Sequence, residues 1–223
     1  MRRHRGDPHA GIPGRRLFVG VPLPAVTAAA VASIVDEVRG KELPAGARDV
    51  RWVRLDGLHL TLRFLGPTPD DRIQDTADAV RRVARAASAP IQLELTGAGS
   101  FPAGSRPRTL WIGVDGDLAG LDRLATMAGA ALGDAGWPPQ TRPFRAHLTL
   151  ARSDGVEVGS LVAGRLAAAM AGRSIPCEVA QIGLFESVTG DGRARYVPVV
   201  LETLGAAPSA TEPVYHPITP DPS

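Results

Sequence analysis

Cysteine is nearly absent. Cys177 is the single one in 223 residues, which excludes an intrachain disulfide and a cysteine-based zinc cluster and leaves a buried structural thiol as its expected state. Long apolar runs are absent too. The nearest approach is GRRLFVGVPLPAVTAAAVASIV over residues 14–35, which opens on paired arginines in the manner of an export signal. Pro22 and Pro24 break it, and Val31, Ile34, Val35 and Val38 then recur at helical spacing with Asp36, Glu37 and Arg39 opposite. Strand, proline turn and amphipathic helix is the expected reading. No stretch is long enough to cross a membrane, and a cytoplasmic, monomeric protein is expected. Neither the HExxH signature of zinc hydrolases nor the G-x-S-x-G nucleophile elbow occurs. Lysine is almost missing: Lys41 stands alone, and arginine supplies the remaining cationic side chains, at a formal net charge of +2 and a pI near 9.2. Arginine's planar fork suits phosphate. Alanine, glycine and proline are abundant as well, the mark of codon bias, so the charge favours an anionic partner only mildly.

What remains is an ordinary globular composition, 44% hydrophobic and 22% charged, long enough for one generous domain or two small lobes. Residues 1–14 (Arg, His, Gly and Pro without periodicity) and 205–223 (Pro, Ser and Thr) read as a disordered extension and a loose tail around a domain over 15–204; His4, His9 and His216 fall in these ends. Inside, strand and helix patterns alternate. LFVGVP is a strand and Ala25 to Arg39 a helix. RWVRL and LHLTLRFL are expected to pair as a hairpin around Asp56-Gly57, and Asp70 is placed to cap the next helix. IQLELTGAG and TLWIGVDG are strands, Leu118 to Leu132 a helix, RAHLTLA a strand, Gly159 to Ala171 a short helix. CEVAQIGLFES and ARYVPVVLETL close the chain as strands. The two halves look alike in outline. An α+β fold is expected: a bilobal, pseudo-two-fold duplication with two antiparallel-rich sheets, outer helices and an active-site cleft between the lobes.

The duplication has a focus. The tetrapeptide HLTL occurs twice, in GLHLTLRFLG and in FRAHLTLARS, with its histidines at positions 59 and 147. Side chains alternate along a strand, so His59 and Thr61 share one face while Leu60 and Leu62 anchor the other; His147 and Thr149 repeat this. Two imidazoles and two hydroxyls facing one another suit in-line opening of a phosphodiester. Such a reaction needs a base beside the attacking oxygen and an acid beside the leaving one, roles that histidine fills near neutral pH. Threonine hydroxyls can donate to the non-bridging oxygens without adding charge. Neither motif carries a carboxylate at ligand spacing, so no metal and no cofactor are expected. On strict alternation Arg63 and Arg145 share the histidine faces; Arg152 falls on the opposite face unless the strand end twists. Each is a candidate phosphate contact, and Phe101 and Trp111 are candidate base-stacking or core residues.

These residues carry a resemblance. The chain resembles the 2H phosphoesterases, named for two H-x-[ST]-x motifs, and within them the bacterial and archaeal RNA 2′,3′-cyclic phosphodiesterases, historically called 2′-5′ RNA ligases. The likeness runs through RRLFVGVPLP, RWVRLDGLHLTLRFLG, GSFPAGSRPRTLWIGV, RPFRAHLTLAR and LFESVTGDGRARYVPV, in the family's order. Ala146 departs from it, standing where members often have proline. The resemblance implies a bilobal fold, an RNA end as partner, and hydrolysis of an RNA 2′,3′-cyclic phosphate to a 2′-phosphate with His59 as proton donor and His147 as proton acceptor. It also implies the reverse chemistry, joining RNA ends through a 2′-5′ bond. Two other readings remain beside this one: a non-catalytic RNA-end-binding protein, and a related phosphodiesterase acting on 2′-5′-linked oligonucleotides or small cyclic nucleotides.

Overall fold

A computed structural model describes residues 14–40, 50–88, 90–153, 155, 157–189 and 194–206; the bulk of the two expected terminal segments, with His4, His9 and His216, lies outside the described residues. In chain order the elements are β1 (Arg15–Pro22), α1 (Ala25–Gly40), β2 (Arg51–Trp52), β3 (His59–Thr68), α2 (Ile73–Ala86), β4 (Ile91–Phe101), β5 (Thr109–Gly116), α3 (Leu118–Asp134), β6 (His147–Arg152), α4 (Val158–Met170), β7 (Ser174–Val179), β8 (Gln181–Thr189) and β9 (Ala194–Thr203).

The helices form where the apolar spacing put them. α1 buries Val31, Ile34, Val35 and Val38, and α2 buries Ala77, Val80, Val83 and Ala84, the inward stripes of amphipathic helices. Asp117 caps α3, its Oδ1 accepting from the Gly120 N–H at 2.8 Å. Asp70 does not cap α2 through its side chain: it lies inside a short 3₁₀ turn whose backbone carbonyl accepts from the Ile73 N–H.

All strand pairings are antiparallel, and the strands join in one sheet of order β7-β4-β5-β6-β3-β1-β8-β9, with β2 paired to β6. The two expected lobes are the two halves of this sheet, β7-β4-β5-β6 and β3-β1-β8-β9. They are fused rather than separate because the two HLTL strands lie side by side and pair at Leu60 with Leu148. On the helix side of this seam Leu60, Leu62, Leu148 and Leu150 are at most 2% exposed and join the core that packs beneath the helices.

Two strand assignments differ from expectation. RWVRL does not form a hairpin with β3. Arg51 and Trp52 pair with Arg152 and Ala151 of β6, and Leu55–Gly57 make a 3₁₀ turn in which Arg54 pairs with Asp56. The sides of β3 are taken by β1 and β6, so β2 extends the edge of β6 beyond the point where β3 leaves it. CEVAQIGLFES is two strands in opposite halves: β7 pairs with β4 and β8 with β1. Ala180 alone connects them, so the sheet curls until these strands, far apart in hydrogen-bonding order, meet. Past β9, the Gly205 N–H donates to the Ala84 carbonyl at 2.8 Å, which ties the start of the expected tail to α2.

Candidate active site

The seam positions the site. With Leu60 opposite Leu148 in an antiparallel register, His59 falls opposite Thr149, and Thr61 opposite His147, all on the face away from the helices. The four groups form a square with a histidine at each end of one diagonal. On ideal strand spacing the histidine Cα atoms lie about 8 Å apart, enough to flank a phosphate.

Both imidazoles are held in the same way. His59 Nδ1 lies 2.7 Å from the Gly57 carbonyl oxygen, and His147 Nδ1 lies 2.7 Å from the Arg145 carbonyl oxygen. A carbonyl only accepts, so each Nδ1 carries the hydrogen and each Nε2 is left for proton transfer. The tautomer comes from backbone two residues upstream, in both halves.

Their surroundings differ. His59 is inserted in an aromatic cluster on the open side of the sheet. Phe18 stacks on it at 4.4 Å between centroids, Tyr196 meets it edge-on at 4.7 Å, and Phe185 lies beyond at 6.3 Å. Gly20, opposite Thr61, leaves room for this packing: a Cβ there would lie 2.9 Å from the Leu60 carbonyl oxygen and 3.5 Å from His59 Cδ2. Desolvation by these neighbours pushes the His59 pKa down to about 4, opposed in part by the hydrogen bond to Gly57. Among the described residues His147 has one aromatic contact, a T-shaped one with Phe101 at 5.2 Å, and it is partly open to solvent. Trp111 packs on Phe101 at 5.1 Å and lies flat over Gly99, where a Cβ would come within 2.5 Å of the indole.

A cavity of about 910 Å³ opens from this square, toward the large end for ligand sites, which run about 300–1,000 Å³. His59, Thr61, Thr149, Arg152, Tyr196 and Phe64 line it, together with the Trp137–Thr141 loop; His147 and Phe101 stand outside the lining.

The three candidate arginines separate. Strict alternation puts Arg63 beside His59 and Thr61, but Gly20 pairs with Thr61 and Val19 with Arg63, so Leu62 is an extra residue, a β-bulge. The bulge turns Arg63 to the helix side with Val19. There it is 6% exposed, still borders the cavity, and donates to the carbonyls of Gly129 and Pro138, on and just after α3. Its charge ties the two halves together across the seam. Arg145 is exposed and contributes its backbone carbonyl to His147 rather than a side chain to the cavity. Arg152 lines the cavity, with Nη1 donating to Thr109 Oγ1 at 2.8 Å. Sequence reasoning missed Phe18, Phe185 and Tyr196. Their signal is tertiary: Phe18 and Phe185 sit on strands whose pairing with β3 and β1 is not local, and Tyr196 reaches His59 from β9, the edge strand beyond β8.

Among the described residues no group of three His, Cys, Asp or Glu side chains converges as a metal-ligand set, and no helix is long and apolar enough to cross a membrane. Cys177 is buried, and desolvation pushes its thiol up to about 11, which makes it a poor nucleophile.

Duplicated H-x-T-x strands joined back to back on one curled sheet define the class. The chain belongs to the 2′-5′ RNA ligase superfamily, whose pattern it matches over residues 25–191. It is 29% identical over 185 residues to the RNA 2′,3′-cyclic phosphodiesterase of Escherichia coli, covering 83% of this chain and 94% of that one. It is 33% identical over 106 residues to the protein of that name from Aeropyrum pernix, covering 48% of this chain and 58% of that one. The Geobacillus stearothermophilus counterpart is matched at 33% identity over 60% of this chain and 41% of its own length. The chain thus spans less than two thirds of these last two relatives. In three dimensions it is similar to TT0787 of Thermus thermophilus, with a TM-score of 0.65 at 28% identity over 85% of this chain and 98% of that one. It is also similar to E. coli LigT complexed with 3′-AMP, with a TM-score of 0.62 at 27% identity over 86% of this chain and 99% of that one.

Proposed function

We propose that the protein opens RNA 2′,3′-cyclic phosphate ends to 2′-phosphates with His59 as general acid and His147 as general base, held by no metal. One observation carries the reading: two imidazoles at opposite corners of a four-residue square, each with Nδ1 bound to a carbonyl and Nε2 left for chemistry. In-line displacement places the entering and leaving oxygens on opposite sides of phosphorus, and the diagonal supplies one imidazole to each. Thr61 and Thr149 occupy the other diagonal, where hydroxyl donors meet the non-bridging oxygens. Relatives named as RNA 2′,3′-cyclic phosphodiesterases, and the LigT complex with 3′-AMP, support a nucleotide as the ligand.

The lopsided cavity supports the division of labour. Both ring oxygens of the substrate belong to one ribose, so the RNA lies on the side of the leaving 3′ oxygen and water enters from the other. The cavity extends from His59, which is its lining residue, while His147 stands outside on the solvent side. RNA in the cavity brings the 3′ oxygen to His59 Nε2, which donates its proton; His147 Nε2 takes the proton from water. A 5′-hydroxyl in place of that water yields a 2′-5′ linkage by the same steps. Adenosine 2′,3′-cyclic phosphate tests the activity, with the product isomer read by phosphorus NMR; a 3′-phosphate product, or none, overturns it. A nitrophenyl phosphodiester tests the roles, because a good leaving group needs no acid. His59→Ala should regain most of its lost rate on that ester and His147→Ala should stay slow; the reverse pattern exchanges the assignments.

A further inference from the structure

We infer that Gln140 reads the edge of the terminal base and gives the site a preference for adenine. The inference rests on the reading of the site given above. The cavity has two ends of different chemistry. Arg51 and Arg152, opposite one another in β2 and β6, line one of them. The other lies along β3 past Thr61, where Phe64, Leu65, Gly66, Pro138 and Pro139 line it, with Arg16 alongside on β1. A nucleotide turns its phosphates toward cations and its base toward apolar walls, so the base belongs at the second end. Gln140 and Thr141 stand there as well, and Gln140 is the only carboxamide among the described residues that line the cavity.

The loop that carries Gln140 is pinned along its length. Gly136, at φ 78°, turns the chain off the end of α3, and the Trp137 N–H closes that turn on the Leu132 carbonyl at 2.9 Å. The Trp137 indole then reaches α2. Its Nε1 donates to Thr76 Oγ1 at 3.0 Å, and the Arg72 guanidinium lies over the ring at 4.7 Å while Nη2 donates to the Ala135 carbonyl at 2.7 Å. Arg63 holds the Pro138 carbonyl, and the rings of Pro138 and Pro139 fix their own φ angles. A buried arginine, a buried threonine and two prolines thus secure a segment in which Gln140 and Thr141 are exposed. Loop tips are ordinarily mobile; one held in this way presents its polar groups at a fixed place. The Gln140 amide has no hydrogen-bond partner among the described residues. An amide offers an acceptor and donors side by side, the complement of the adenine 6-amino group and N7. Guanine shows two acceptors on that edge and the pyrimidines have no N7, so neither matches both halves of the amide.

The test removes each partner in turn. The substrates are the 2′,3′-cyclic phosphates of adenosine, of purine riboside, which lacks the 6-amino group, and of 7-deazaadenosine, which lacks the N7 acceptor. Each is turned over by wild type and by Gln140→Ala. Wild type should prefer adenosine to both analogues. Gln140→Ala should lose roughly 5- to 150-fold in kcat/KM on adenosine, mainly in KM, as loss of one bidentate base contact does, and should turn over the three substrates alike. Inorganic phosphate, titrated calorimetrically, should bind both proteins equally, because the His–Thr square is untouched. Equal kcat/KM for the three substrates in wild type, a preference for adenosine that survives in Gln140→Ala, or a loss of phosphate binding as large as the loss on adenosine overturns the inference. If wild type turns over none of them, the phosphodiesterase reading falls instead, and titrations of adenosine 2′-phosphate and purine riboside 2′-phosphate into the two proteins decide the role of Gln140 by the same comparison.

Discussion

The acid assigned to His59 is neutral until the substrate arrives. Its pKa in the ligand-free protein is about 4, because the Phe18, Phe185 and Tyr196 rings desolvate it. At pH 7 a group of that pKa is protonated about one time in a thousand. A bound phosphodiester changes this. One negative charge about 5 Å from the ring, at an effective dielectric constant of about 20, favours the imidazolium by about 3 kcal/mol. That raises the His59 pKa by about two units and its protonated fraction at pH 7 by about a hundredfold. The substrate charges its own acid. The descending limb of kcat with pH should fall near the raised value, whereas kcat/KM reports the depressed value of the free protein. The direct assay is a carbon-13 NMR titration of histidine Cε1–Hε1 resonances, with His59 assigned by its loss in His59→Gln. It is run without ligand and then with a nucleoside 2′,3′-cyclic phosphonate, in which a methylene replaces the 3′ bridging oxygen and the single negative charge is kept. A midpoint near 4 that rises by about two units on saturation is the expected result. A free midpoint near 6.5 refutes the desolvation argument, and a midpoint unmoved by saturating analogue refutes the coupling.

Hydrolysis should continue at full rate in excess EDTA; loss in chelator with recovery on adding Mn²⁺ or Zn²⁺ would defeat the two-histidine scheme. Thr61→Val and Thr149→Val keep shape and delete a donor, so each should lower kcat/KM, by up to the roughly 2.7–4 kcal/mol of transition-state stabilisation that a preorganised donor supplies; unchanged values in both would mean the hydroxyls point elsewhere. Arg63→Met should destabilise the fold by about 2–5 kcal/mol, by orphaning the carbonyls of Gly129 and Pro138, and should do so equally with or without bound phosphate. If melting is unaffected, or the loss disappears in saturating phosphate, Arg63 is a ligand contact and not a clamp between the halves.

The His–Thr square was legible because alternation is a local rule, and the strand obeys it from His59 to Leu62. It failed one residue later. Nothing in the letters RF announces a bulge, whose origin is the mismatch between β3 and the β1 strand it must follow, so Arg63 and Phe64 exchange the faces that alternation gives them. Helix positions were legible for the same local reason, since an apolar stripe needs no knowledge of its partner. Strand partnership was not. RWV has the pattern of a strand but no mark saying that β6 rather than β3 is its neighbour, and the one-residue turn at Ala180 depends on the curl of the whole sheet. The unequal surroundings of His59 and His147 arise in the same way: the motifs are identical, and the difference comes from aromatic residues brought in from β1, β8 and β9.

The Leu60–Leu148 pair also acts as a fulcrum. Any flexing of one half of the sheet against the other would turn about the line through that pair, and displacement would grow with distance from it. For a rotation of about 5°, atoms about 4 Å from the axis shift by about 0.3 Å, while those three strand spacings out, about 15 Å away, travel more than about 1 Å. On the proposed reading, proton transfer would tolerate the first displacement and an RNA end would make use of the second. The His–Thr square thereby stands beside the line about which the two halves would turn, where such a motion would be smallest.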